Sequence, residues 1–138
     1  MQLIFLLFCV LLKARFAGVP RTLSNPPFLW FPCLASPQST PFDILSEIAV
    51  RTDRIFQNAP FRYRFLYAHK CLLRCMVVVW FARRINAEAI VHFGMKKIKD
   101  DIKAHCWLTL YHGERAETET DNGYLEIWHY TVLRRVET

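Results

Sequence analysis

The sequence lacks the patterns that announce the commonest ligand classes. It has no Walker loop, no zinc-finger spacing and no helix-turn-helix. Its basic residues form no arm: Arg51, Arg54, Arg62, Arg64, Arg74, Arg83, Arg84, Lys96, Lys97 and Lys99 are spread along the chain. The formal net charge of +6 permits contact with an acidic peptide or an anionic surface. Without a groove-reading motif, nucleic acid is not an expected partner. A disulfide framework is missing as well. Cys9, Cys33, Cys71, Cys75 and Cys106 are odd in number and irregular in spacing, which fits reduced thiols in a cytoplasmic protein and leaves one of them available as a nucleophile. The apolar run Leu3 to Leu12 is too short to span a bilayer. It also lacks the positive residues ahead of it that a secretory signal carries. A buried or interfacial amphipathic helix is expected there, and Lys13 and Arg15 behind it leave association with a membrane surface open.

What the chain does hold is the material of one packed domain. Its 138 residues are 53% hydrophobic and 14% aromatic, enough for a single sizeable core and far from a disordered composition. Residues 1–17 read as helical. Six of the seven prolines fall within residues 18–42, so that stretch is expected to be an extended connector. Phe42 to Phe56 returns to helical spacing, with Ile44, Leu45, Ile48, Val50 and Ile55 as its apolar stripe, and Asn58-Ala59-Pro60 stops it.

Cys71 to Arg84 is strongly apolar. Its length without a turn signal predicts a buried helix, with Arg83 and Arg84 at the negative end. Ala87 to Gly94 reads as a strand and Met95 to Lys103 as a charged loop. From Ala104 to Tyr111 the pattern alternates: His105, Trp107, Thr109 and Tyr111 face one way, and Ala104, Cys106, Leu108 and Leu110 the other. His112-Gly113-Glu114 is a turn, Arg115 to Thr120 a returning arm, Asp121-Asn122-Gly123 a second turn, and Tyr124 to Val136 the closing segment. Helices first and strands afterwards make an α+β fold, N-terminal helices packed on a small antiparallel sheet. The expected division is 1–42, apolar helix and connector, and 43–138, the domain that carries Cys71 and His105.

The chemistry centres on Cys71. A thiol nucleophile must be thiolate near neutral pH, whereas a free cysteine titrates at about 8.5. Cys71 stands where the buried helix starts, so free amides and the helix dipole can stabilise the anion and an oxyanion formed beside it. His105, on a strand, can serve as its base. A third group should hold the imidazole. Glu117, Glu119 and Asp121 share one face of the returning arm. A three-residue turn brings that face to the side of His105, and a two-residue turn puts it on the other.

Several of these segments together resemble a known family. They are Cys71-Leu72-Leu73-Arg74-Cys75, a helix ending Phe81-Ala82-Arg83-Arg84, Ala87-Glu88-Ala89-Ile90-Val91-His92-Phe93-Gly94, and, after a charged stretch, Lys103-Ala104-His105-Cys106-Trp107-Leu108. In that order and spacing they resemble the transglutaminase-like leader peptidases of lasso-peptide clusters, over residues 43–136. The resemblance implies a papain-like core and a cysteine peptidase that needs no cofactor or metal. Cys71 would be its nucleophile, His105 its base and Glu117 the acid at the usual distance, with Glu119 the second choice. It also implies a precursor peptide as substrate, a small leader-binding protein and a ring-closing cyclase as partners. The chain departs from the family pattern at Cys75, where serine is usual, at Cys106, where alanine is usual, at Thr109, where glutamate is common, and in offering Glu rather than Asp as the acid. The proline-rich stretch also departs from the family's helical N-terminal part.

Rival readings keep the same residues. Acyl transfer to an amine would use the same thiol, and product analysis separates it from hydrolysis. A non-catalytic, membrane-associated binding protein would bury its cysteines inertly, and thiol labelling separates that. Zinc binding by Cys71, Cys75, His105 and Cys106 is disfavoured, because adjacent His105 and Cys106 point to opposite strand faces.

Overall fold

The computed structural model describes residues 39–58 and 70–134. The helix expected over 1–17 lies outside the described residues, as do the connector up to residue 38 and residues 59–69.

Helix α1 spans Pro41–Asn58. Its start is a reciprocal cap. The Thr40 hydroxyl oxygen accepts from the Asp43 amide at 3.2 Å, and Asp43 Oδ2 accepts from the Thr40 amide at 3.0 Å. Pro41 follows at the first helical position, where no amide donor is needed. The helix therefore begins inside the stretch expected to be connector. At its end the Asn58 side-chain amide donates to the Arg54 carbonyl. The buried face is Leu45, Ile48, Ala49, Thr52 and Phe56, rotated from the expected stripe: Val50 is exposed and Ile44 and Ile55 only partly covered. Thr52 is tolerated there because its hydroxyl donates back to the Ile48 carbonyl.

Helix α2 spans Lys70–Arg84 and buries Leu73 and everything from Cys75 to Ala82. It is covered all round, packing on α1 and on the sheet. Three adjacent valines are acceptable in such a helix, since each side of it meets core. Asn86, at φ 55°, ends the helix in the left-handed conformation, and the Ala87 amide returns to the Ala82 carbonyl at 2.8 Å.

Four strands follow: β1 (Ala89–Ile98), β2 (Asp101–His112), β3 (Arg115–Thr118) and β4 (Leu125–Val132). They form one sheet in the order β3-β2-β1-β4, every pair antiparallel. The expected α+β arrangement is present. The expected charged loop at Met95 to Lys103 is instead the far half of the β1–β2 hairpin, closed by a two-residue turn at Lys99 and Asp100. Among the described residues that arm has no core to face. Its side chains are exposed on both sides, so the hydrophobic alternation that marks a strand is absent.

Nearer the helices the alternation of β2 holds. Cys106, Leu108 and Leu110 join Ala89, Val91 and Val132 in the core with α1 and α2. His105, Trp107 and Thr109 lie on the opposite face with His92, which pairs with Trp107. Among the described residues no helix is long and apolar enough to cross a membrane.

Candidate active site

The sheet opens where Cys71 meets it. Strand β3 pairs with β2 from His112–Arg115 to Thr109–Thr118 and then ends. Its last contact is made by Glu119. The Glu119 amide donates to the Leu108 carbonyl at 2.9 Å, and its carboxylate accepts from the Leu108 amide at 3.0 Å. By antiparallel alternation the Cys106 amide points to the same edge as that of Leu108. Among the described residues no strand lies opposite it there, and the amide is one of the groups that stabilise the Cys71 thiolate.

The same carboxylate carries the helix. Arg74, one turn beyond Cys71, donates to both oxygens of Glu119 through its two terminal nitrogens. Its Nε lies 3.0 Å from Asp53 Oδ2 on α1 in an ion pair without hydrogen-bond alignment. Burial works against the Arg74 charge, but Glu119 and Asp53 together more than offset it and keep the guanidinium firmly protonated. Glu119 thus joins the open edge of β2 to the first turn of α2, and this joint sets Cys71 against the strand.

Cys71 is half-buried and faces a cavity of about 410 Å³ lined by Asp53, Lys70, Cys71, Arg74, His105 and Cys106, among others. Its thiol is lowered to about 5. The Cys106 thiol, donating to the sulfur, is the largest cause. The Cys106 amide and the hydrogen bond and charge of His105 follow, against an opposing contribution from burial. Cys106, the donor of the pair, is pushed up. Cys75 is fully buried and its thiol is raised by burial, which makes it inert.

The structure therefore brings Cys71 and His105 together. It does not bring Glu117 to them. His112 pairs directly with Arg115 across a two-residue turn, Gly113 and Glu114, so Glu117 falls opposite Leu110, on the helix side of the sheet, and is exposed. Glu119 is engaged with Arg74 and Leu108. Asp121 closes its own turn by accepting from the Gly123 amide at 2.8 Å. Of the twelve Asp and Glu residues, all but Glu137 are described, and among the described residues no carboxylate hydrogen-bonds His105. The ring instead meets two aromatic groups, Tyr124 at 5.0 Å and Trp107 at 6.1 Å between centroids. The reading of the sequence missed the part of Cys106 as partner of the thiol. The one available signal was its departure from the alanine usual after the histidine. Among the described residues no group of three or more His, Cys, Asp or Glu side chains is placed to hold a metal ion.

A cysteine at the start of a buried helix, set beside a histidine on the edge of an antiparallel sheet, defines a class of thiol-dependent acyl-group chemistry. The family model of the transglutaminase-like superfamily matches residues 30–129, and the chain belongs to that superfamily. No curated protein matches the chain, and no solved structure does.

Proposed function

We propose that this protein is a cysteine peptidase that removes the leader from a ribosomally made precursor peptide, as in lasso-peptide maturation. The observation that carries the reading is that Cys71, His105 and Cys106 line one open cavity, where the two neighbours lower the Cys71 thiol. The superfamily is compatible with peptidases and acyltransferases alike. The lasso-peptide resemblance of residues 43–136 favours the peptidase.

In this mechanism the Cys71 thiolate adds to the carbonyl carbon of the scissile amide and forms the C–S bond. Amides of the first turn of α2, which have no intrahelical acceptor, donate to the oxyanion. As the C–N bond breaks, imidazolium His105 gives its proton to the leaving amine. Neutral His105 then takes a proton from water, and the hydroxide attacks the thioester. The C–S bond breaks, leaving a carboxylic acid that gives its proton to the solvent, with thiolate and imidazolium as at the start. Lys70 borders the cavity, and with the net charge of +6 it gives an acidic stretch of peptide a favourable approach. A leader-binding protein and a ring-closing cyclase would act beside it on the same precursor.

The test is incubation of the protein and its Cys71→Ala variant with a library of precursor peptides, in buffer with and without an added primary amine, followed by mass spectrometry. Free carboxylate products that require Cys71 are expected. Amide products alone would make the protein an acyltransferase. No Cys71-dependent product of either kind would overturn the catalytic reading.

A further inference from the structure

A catalytic histidine needs its ring held in one orientation, and here no described carboxylate touches it. We propose that an aromatic stack orients His105 in place of an acid: Trp107 and Tyr124 hold the imidazole against Cys71, and the Glu126–His92 pair holds Trp107. The proposal rests on the reading of Cys71 and His105 as nucleophile and base.

The stack runs along β2 and across to β1. Trp107 lies two residues beyond His105 on the same face of β2, and its indole is inclined only 19° to the imidazole. On its other flank His92 of β1, directly across from Trp107, stacks on the indole at 5.4 Å and 11°. Both nitrogens of His92 are engaged: Nδ1 with the Glu126 carboxylate, and Nε2 with the Thr109 hydroxyl at 2.8 Å, which is itself 2.8 Å from the Thr118 hydroxyl. A ring fixed at two points cannot turn, so His92 is a rigid backing for the indole.

Gly94, the residue of β1 opposite His105, makes the stack possible. A Cβ there would come within 2.7 Å of two indole carbons. Trp107 therefore lies over the bare backbone of Gly94 and reaches the level of the histidine. Tyr124 contacts the imidazole as well, and Lys96 lies 5.8 Å from the Tyr124 ring while donating to the Asn122 carbonyl. The ring-to-ring distances fall in the range where aromatic pairs attract with preferred geometry. An orienting role follows because the contacts are to the ring faces and edges and leave the nitrogen at Cys71 free to act.

Trp107 is itself a buried residue whose removal would confound folding with positioning, so the test uses its supports and Tyr124. The readout is the pH profile of Cys71 alkylation by iodoacetamide, measured on Tyr124→Ala, Tyr124→Phe, Glu126→Gln, Glu117→Gln and His105→Ala, with thermal unfolding as the check on folding. We expect His105→Ala to raise the midpoint, and Tyr124→Ala and Glu126→Gln to raise it in the same direction by about half a pH unit or more. Tyr124→Phe, which keeps the ring, and Glu117→Gln should match the unaltered protein. A raised His105→Ala midpoint with Tyr124→Ala and Glu126→Gln unshifted would overturn the aromatic positioning alone. A Glu117→Gln profile that follows His105→Ala would return the role to the carboxylate and overturn it equally. An unshifted His105→Ala profile would overturn the pairing of histidine and thiol, and the proposal with it.

Discussion

Cys106 acts on Cys71 through two groups, its thiol and its backbone amide. Alanine removes one and keeps the other. Cys106→Ala is therefore expected to raise the alkylation midpoint of Cys71 above about 5 yet leave it below the free-cysteine value of about 8.5, since the amide and His105 remain. Alkylation against pH measures this, and an unchanged midpoint would mean that the neighbouring thiol is irrelevant. The linkage has a definite sign. A depressed thiol stabilises the fold fully above its ordinary pKa, and that stabilisation is lost as the pH falls through about 5. The extra stability of the unaltered protein over Cys71→Ser should thus grow between pH 5 and 9 and vanish below it, as melting curves in graded buffers would register. Cys71→Ser and Cys71→Ala should also abolish cleavage while folding normally by circular dichroism. Cys75→Ser differs. Its thiol is buried and inert, so activity should stay within about threefold. Melting should nonetheless show a loss of about 1 kcal/mol, because a buried hydroxyl must find its partner on the preceding turn.

At the scale of elements, two contacts decide how α2 meets the sheet and how β1 meets β2. The first is the Arg74–Glu119 joint. Arg74→Met keeps the side-chain volume but leaves Glu119, still bonded to the Leu108 amide, without its cation. A loss of about 1–3 kcal/mol is expected, less than for a fully buried pair because Glu119 is partly solvated. Slower alkylation of Cys71 should accompany it, because the helix start is no longer held to the strand edge. Unfolding in urea and alkylation rate together test this, and normal alkylation in a destabilised variant would separate the joint from the site. The second contact is the passage of Trp107 over Gly94. In Gly94→Ala the added carbon would sit 2.7 Å from the indole and 2.8 Å from the Leu125 carbonyl. The bulge of β4 at this level leaves the backbone little room to retreat. A destabilisation of about 1–3 kcal/mol is expected from overpacking, seen as a lower melting temperature.

Across the whole molecule the charge and the fold act on different quantities. The net charge of +6 is a long-range field, so association with an acidic peptide should slow as salt shortens the Debye length from about 10 Å at 0.1 M to about 3 Å at 1 M. Stopped-flow mixing with such a peptide at graded salt would show it, and a salt-independent rate would remove charge from the account of substrate choice. Much of the architecture could be read along the chain, because the information there is local. Two helices followed by strands, the apolar length of 71–84, and the alternation of 104–111 all follow from periodicity. So does the placing of Cys71 at a helix start and His105 on a strand. The pairing of the two was drawn from order and resemblance. The position of the carboxylates was not legible, because strand side chains alternate with a period of two and a turn shorter by one residue moves Glu117 and Glu119 to the opposite face. Nor could the sequence show that β3 stops at Thr118, which leaves the Cys106 amide available to the Cys71 thiolate, or that Gly94 lies beneath Trp107. Those depend on contacts between residues far apart in the chain, and only the packed sheet brings them together.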